Sequence, residues 1–345
     1  MEKWFKRFIT VALIAILALG MVACGGSKSG TSSENKGAPS GGAAPAEKKF
    51  KVAMLLSGSI NDGGWNTNAY NGLQEIQQKL GVETAFTENV KKNDQVQIMR
   101  EYARKGFDVI IGHGFEFSDA LKQVSEEYPK VMFAGVGTNV TAPGVASLQF
   151  TPGELGYLAG IVAAHSTKVN KIGIVTATKD PTGQVEFDNI KERVAKINPQ
   201  ASVVIAYTGS WDDVNKAKEA ALAQIASGVD VIVADNDAGN LGVIQAAQEQ
   251  KDKKVKVIGW TGDYYDQAPD VILTSAVQKI STLIFTGVKD FKEGKFKGQI
   301  YRFGLKEKAQ YMGKYSDAVP QSVKDEVTKA TEDLISGKIK PIGNL

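Results

Sequence analysis

Ten short runs rich in valine, isoleucine and phenylalanine alternate with stretches of helical spacing. The runs begin near Phe50, Val82, Phe107, Val131, Val145, Ile172, Val203, Val229, Val255 and Ile272. The helical stretches include Gln95 to Arg104, Asp119 to Glu127, Glu154 to His165, Asp213 to Ile225 and Leu241 to Glu249. Such alternation leads to parallel α/β sheets, because a parallel pair needs a crossover long enough to hold a helix. The pattern also repeats. Lys51-Val-Ala-Met is answered by Lys171-Ile-Gly-Ile, Gly106-Phe-Asp-Val-Ile-Ile by Gly228-Val-Asp-Val-Ile-Val, and Phe133-Ala-Gly-Val by Val257-Ile-Gly-Trp, at offsets of 120, 122 and 124 residues. Three matches in order predict two similar α/β lobes, each of ordinary domain size.

Open α/β sheets place ligands beyond the carboxyl ends of their strands, so the loops there are the candidate site. In the first half these are Ser57 to Asn66, His113 to Ser118 and Gly135 to Asn139. In the second they are Thr176 to Gln184, Thr208 to Asp213, Asp235 to Asn240 and Trp260 to Tyr265. Aromatic and acidic residues gather in this set: Trp65, Phe115, Phe117, Trp211, Trp260, Asp212, Asp235, Asp237 and Asp263. That composition suits a cleft that sandwiches a flat ring and accepts its hydrogen bonds. The same aromatics also suit a core, and residue type alone leaves both readings open. In the loop Ser57-Gly-Ser-Ile-Asn-Asp-Gly-Gly-Trp-Asn66, Gly63 and Gly64 let backbone approach a ligand, with Asp62, Trp65 and Asn66 around it. The same loop reads equally as a strand-to-helix turn with Asp62 as cap and Trp65 as a lid on the core.

The amino-terminal segment carries Lys3, Lys6 and Arg7, then sixteen uncharged residues from Phe8 to Ala23, then Cys24. A spanning helix needs ~20 apolar residues, so this run is short for one and has the layout of a secretory signal. It resembles a bacterial lipoprotein signal over residues 1–23, with Met21 where leucine is usual, and that resemblance makes Cys24 the lipidated first residue of the exported protein. Residues 24–49 are mostly Gly, Ser, Ala, Pro, Lys and Glu and read as a flexible tether. Cys24 is the single cysteine, so no internal disulfide is available and the domain must rely on its core. Residues 1–23 hold three positive charges and one negative, so without them the formal net charge falls from +3 to +1. A near-neutral domain gives no argument for a nucleic-acid partner.

Enzyme chemistry finds little support. There is no Gly-x-Ser-x-Gly elbow, Walker loop or His-Glu-x-x-His, and Gly112-His-Gly-Phe-Glu-Phe117 has Phe where a dinucleotide fingerprint needs its third glycine. With His113 and His165 as the only histidines, a zinc site is not expected. His165 is placed at a helix end and His113 at a strand end beside the cleft. The chain is expected to be no enzyme and to need no cofactor or metal.

The first loop, then Gly112-His-Gly-Phe115, Glu154-Leu-Gly-Tyr-Leu-Ala-Gly160 and Ser227-Gly-Val-Asp-Val-Ile232, resemble the basic membrane protein family of bacterial lipoprotein receptors. Asp237-Ala-Gly-Asn-Leu-Gly242, Val257-Ile-Gly-Trp-Thr-Gly-Asp263 and Leu273-Thr-Ser-Ala-Val277 continue the likeness, which spans nearly all of residues 50 to 340. These receptors are substrate-binding components of ABC importers and include purine nucleoside receptors. The resemblance implies a type I periplasmic-binding-protein fold, two doubly wound α/β lobes joined by a multi-segment hinge and closing on a ligand. Lobe 1 is expected over 50–152 and 279–306, and lobe 2 over 153–278 and 307–345. Crossings are expected near Thr151 to Gly153, Ala276 to Lys279 and Leu305 to Ala309. The family's stacking aromatic matches Trp65, and a second matches Trp211 or Phe187.

This sequence departs from the nucleoside pattern at three places. The family's acidic residue after the fourth strand is matched by Gly137, its ribose-gripping aspartate by Thr261 with Asp263 two places on, and its lysine by Gln278. The expected ligand is therefore a free purine-like base, such as adenine, or a modified nucleoside, with Asp237 or Asp263 accepting its N–H donors. The expected ligand-binding set is Asp62, Trp65, Asn66, His113, Phe115, Gly137, Trp211, Asp237, Trp260, Asp263 and Gln278. The implied partners are an ABC permease with its ATPase, and the membrane through lipid on Cys24. A sugar-binding receptor and a surface sensor using the same cleft are the alternatives.

Overall fold

The computed structural model describes residues 49–343. The signal over 1–23, Cys24 and nearly all of the tether expected over 24–49 lie outside the described residues. The first half of the domain runs β1 (Lys51–Leu56), α1 (Trp65–Leu80), β2 (Glu83–Thr87), α2 (Gln95–Arg104), β3 (Val109–His113), α3 (Ser118–Glu127), β4 (Met132–Val136) and β5 (Val145–Phe150). The second half runs α4 (Glu154–Ser166), β6 (Lys171–Thr176), α5 (Pro181–Ile197), β7 (Ser202–Tyr207), α6 (Val214–Ala226), β8 (Val231–Asp235), α7 (Gly239–Glu249), β9 (Lys256–Thr261) and β10 (Ile272–Gln278). The remaining elements are α8 (Ile280–Lys292), β11 (Ile300–Phe303), β12 (Gln310–Met312) and α9 (Gln321–Ile335).

Two six-stranded sheets result, ordered β11-β5-β4-β3-β1-β2 and β12-β10-β9-β8-β6-β7. Every pair is parallel except β10 with β12, which is antiparallel. Without the two late strands, each sheet has the doubly wound order 2-1-3-4-5, whose switch point lies between its first and third strands. The strands β1, β3 and β4 hold the same sheet positions as β6, β8 and β9, the pairs that the internal repeat brings together.

Burial explains the patterns. In β1 every residue after Lys51 is buried, as a central parallel strand with helices on both faces requires, whereas the edge strands β2 and β7 have no buried residue. Helix α4 is buried at eleven successive positions, Glu154 to Ala164. It lies against α5 closely enough that a Cβ on Gly156 would sit 2.2 Å from the Glu186 carbonyl oxygen. Only glycine lets the two backbones approach so far. Helix ends follow local chemistry: Asp180 caps α5 by accepting from Gly183 N, Asp213 caps α6 by accepting from Lys216 N, and Gly81, at φ 64°, closes α1 in the left-handed region.

The chain passes between the sheets three times: from β5 to α4, from β10 to α8, and from β11 to β12. These passages are bonded to one another. Thr151 N donates to Phe303 O (3.0 Å), and Lys279 N donates to Ala309 O (2.7 Å). Glu154 Oε2 accepts from Leu305 N (2.8 Å). The Gln310 amide nitrogen, in the orientation that satisfies both ends of the amide, donates to Glu154 Oε2 and Thr151 O, each at 3.1 Å.

Candidate functional site

The strand-end loops of the two lobes meet. A Cβ on Gly64, in the loop after β1, would lie 3.5 Å from Asp237 Cα in the loop after β8. The lobes are therefore closed at this seam.

The loop from Ser57 to Asn66 is built largely by its own polar side chains. Asp62 accepts five hydrogen bonds, from Gly64 N, Asn66 N, Asn66 Nδ2, Thr67 N and Thr67 Oγ1. Burial opposes its charge, but the N–H groups of Gly64, Thr67 and Asn66 outweigh this and hold the carboxylate below its ordinary value. Asn66 is buried, with Nδ2 on Asp62 and Oδ1 accepting from Gly58 N at 3.3 Å. These bonds fill both oxygens of Asp62 and engage both ends of the Asn66 amide, so both residues, expected as ligand contacts, are committed to holding the loop in this structure. Asp62 tethers the free N–H groups at the start of α1, the capping alternative raised by the sequence.

Trp65 is half-buried at the start of α1, packed in part against the apolar core of the first sheet. Its ring stacks on His113, centroids 4.4 Å apart and planes at 22°. A Cβ on Gly137, at φ 69°, would lie 3.5 Å from the ring edge, so this position brings the β4 loop against the indole. His113 is fully buried, and its Nε2 lies 3.1 Å from Trp65 O. A carbonyl only accepts, so Nε2 carries the proton. Burial drives the ring's pKa down to about 3 and keeps it neutral, against the smaller opposing effects of Trp65 O and Asp62. His113, expected on the cleft lining, is placed against the indole with no exposed surface. Phe115, by contrast, is 58% exposed at the start of the turn after β3.

In the second lobe the Trp211 carbonyl accepts from Asp237 N and Gly239 N, which ties the loops after β7 and β8 together. Trp211 is half-buried. Carboxylate oxygens of Asp62, Asp212 and Asp237 converge within 4.8 Å of one another. Burial and then Asp62 raise the Asp212 pKa, while Ala238 N opposes. Asp237 is pushed well above its ordinary value by burial, then by Asp62, Asp212, Asp235 and Glu116. Its carboxylate has no hydrogen-bond partner among the described residues. The convergence does not make a cation cage, since the Asp62 oxygens are already filled by five donors.

Other expected residues are placed elsewhere. Trp260 is 3% exposed and Phe187 1%, both inside the apolar core that α4 shares with the second sheet, so neither ring offers a face to a ligand. Asp263 is exposed, but its Oδ1 accepts from Tyr265 N (3.2 Å) and its Oδ2 from Lys314 N (2.9 Å), which fixes the local turn. Gln278 is half-buried and accepts a long hydrogen bond from Thr261 Oγ1 at 3.4 Å. Sequence reasoning named Asp212 among the acidic loop residues without placing it in the binding set, and left out Thr178, Asn236 and Gln149. Thr178 Oγ1, Asn236 Oδ1 and Gln149 Oε1 are buried at or just after strand ends without a partner. Asp212, Thr178 and Asn236 lie within the loops marked above, so the signal was their position; aromatic residues drew the attention instead.

With this geometry in view, residues 49–344 match the family model described as ABC transporter substrate-binding protein PnrA-like. The chain belongs to this family. It is 30% identical over 280 residues to the transcriptional activator protein med of Bacillus subtilis, covering 81% of this chain and 86% of that protein. It is 29% identical over 304 residues to a purine-binding protein of Brucella abortus, covering 87% of this chain and 85% of that protein. Among solved structures, an ABC transporter solute-binding protein from Aeropyrum pernix superposes with a TM-score of 0.76 at 22% identity, over 86% of this chain and 94% of its own. At that identity the likeness speaks for the fold, which is the two-lobed type I periplasmic-binding-protein fold. As a PnrA-like substrate-binding component, the protein binds a small solute and is not an enzyme, and it works with a permease and an ATPase. Among the described residues no helix is long and apolar enough to cross a membrane.

Proposed function

We propose that the cleft captures a purine-type solute, a free base such as adenine or a nucleoside with modified sugar contacts, for delivery to the permease. The observation that carries this reading is Trp65: a half-buried indole, backed by His113 at 4.4 Å, on a loop that closes against Asp237 of the other lobe. Such a rigid aromatic face stacks on a base, with the Asp237 carboxylate accepting N–H donors at the ring edge. The similarity to a purine-binding protein supports the same class. Thr261 and Gln278 bond each other where the family's charged ribose-holding groups would be, which favours a base over a nucleoside.

Lobe 1 comprises residues 50–152 with 279–306, lobe 2 residues 153–278 with 307–345, and the three bonded passages between sheets act as the hinge. Lipid on Cys24 holds the domain at the outer face of the cell membrane through the tether of residues 24–49. The test is native mass spectrometry of protein purified without ligand, followed by calorimetric titration with adenine, adenosine, guanosine and ribose. Purine binding that weakens in Trp65→Ala supports the reading; binding of ribose alone overturns it. A sensory role is the second reading, favoured by the similarity to a transcriptional activator protein. Purine uptake that persists without this protein would select it.

A further inference from the structure

A cavity of about 530 Å³ opens beside the passages between the sheets, bounded by β12, the turn at 305–308 and α9. Small-molecule sites have volumes of ~300–1,000 Å³, so this one is large enough for a ligand. None of its lining residues is in the expected ligand-binding set, with Lys279, directly after Gln278 at the carboxyl end of β10, the one nearest to that set in the chain. Leu305, Met312 and Val327 give it an apolar wall.

Its polar groups are mostly donors. Lys279 and Lys308 line it, are exposed, and have no ion-pair partner among the described residues. Tyr311 and Tyr315 also line it, and neither phenol has a hydrogen-bond partner among the described residues. Burial pushes the Tyr315 hydroxyl up, so it remains a donor. The Lys324 ammonium adds positive charge 5.9 Å from the Tyr315 ring centre. Against these stands a single acid in the lining, Glu332. The hydroxyls of Thr328 and Thr331 are already donated to Lys324 O and Val327 O on their own helix.

We propose that this cavity is a second ligand site, separate from the cleft, for a small organic anion with an apolar body. The anionic end meets the Lys279 and Lys308 ammoniums and a phenol donor, and the apolar body lies on Leu305, Met312 and Val327. Such charge-assisted bonds are the strong ones in a partly desolvated pocket. Because Lys279 and the 305–308 turn belong to two of the three passages, an occupant also bridges those passages to α9.

The experiment is calorimetric titration of the full chain with phenyl phosphate and benzoate, and with benzyl alcohol as a neutral counterpart. Saturable binding of at least one anion is expected, about tenfold or more tighter than benzyl alcohol. The double variant Lys279→Ala/Lys308→Ala should lose that preference, and Thr331→Trp, which fills the cavity from α9, should abolish binding. Trp65→Ala should leave it unchanged. The two lysines are exposed, so the double variant remains a test even if Thr331→Trp does not fold. Absence of saturable binding by both anions overturns the proposal, as does binding that Trp65→Ala removes and the double variant leaves intact, which would place the anion in the cleft.

Discussion

Glu186 is the most stringent test of the packing beneath the first passage between sheets. It is 4% exposed on α5, with Oε1 accepting from Gly153 N at 2.7 Å and Oε2 from Gly156 N at 2.6 Å. Burial pushes its carboxyl up to about 7, against the pull of those two N–H groups and with further repulsion from Asp235 and Glu154. In the unfolded chain the group returns to its ordinary value of 4.5. The folded value is the higher one, so the contribution is complete below the unfolded value and is lost as pH rises through about 7. Each unit of difference is worth ~1.4 kcal/mol, so acidifying from about pH 8 to about pH 5 should raise stability by about 2–3 kcal/mol through this residue. Asp235, also raised to about 7, adds to the rise in the same window. Asp62, whose value is lowered, loses its contribution only below its ordinary 3.8, outside the window. His113, lowered to about 3 by burial, loses its contribution as pH falls below its ordinary 6.5 and opposes the rise equally in wild type and variant, so the comparison between the two isolates Glu186. Glu186→Gln removes the ionisable group but points an amide NH₂ at one of the two backbone donors, at a cost of ~1–3 kcal/mol. The variant should match the wild type near pH 8 and be less stable by about 2–3 kcal/mol near pH 5. Urea midpoints at the two pH values decide it. Parallel profiles for variant and wild type would refute the assignment of this proton uptake to Glu186.

Trp65→Ala should weaken purine binding by ~1–3 kcal/mol, about fivefold to over a hundredfold, while Trp65→Phe keeps most of the affinity; calorimetry reads both. Gly156→Ala places a Cβ 2.2 Å from Glu186 O and forces α4 from α5, so a loss of ~1–3 kcal/mol in denaturant unfolding is expected. An unchanged midpoint would mean that the helices are not in backbone contact. Cys24→Ser should move the protein from the membrane fraction to the soluble exported fraction, and continued membrane association would count against the lipid anchor.

Much of the fold was legible because parallel sheets leave strong marks. Buried central strands read as uninterrupted apolar runs, and the expected helices Gln95 to Arg104 and Asp119 to Glu127 correspond to α2 and α3 within a residue. The repeat was visible for a physical reason as well: β1 and β6, β3 and β8, and β4 and β9 occupy equivalent sheet positions and need the same side chains there. The late strands were not legible. β11 and β12 are short and sit at sheet edges, where pairing with β5 and β10 defines them more than any pattern of their own.

The site was legible in its location and much less so in its roles. Position in the chain indicates that a loop follows a strand, but it does not indicate whether a polar side chain there faces a ligand or folds back on its own loop. Asp62 and Asn66 fold back, because the start of α1 presents N–H groups that need acceptors and the nearest carboxylate supplies them. Trp260 turns inward because β9 is buried on both faces, so an aromatic on that strand fills core. What is left uncommitted at the seam is the Trp65 face and the Asp237 carboxylate. These two differ in kind from the rest: the indole is already braced from behind, and the carboxylate, raised by burial and by Asp62 across the seam, has no donor among the described residues. A half-buried acceptor that is repelled by its neighbours and unpaired is costly to maintain in the closed state, and in the proposed complex a donor-bearing ring edge beside it would relieve that cost only while the lobes are together. On the proposed reading, the differential affinity for the closed state that a receptor of this fold requires would come from Asp237 as well as from stacking on Trp65.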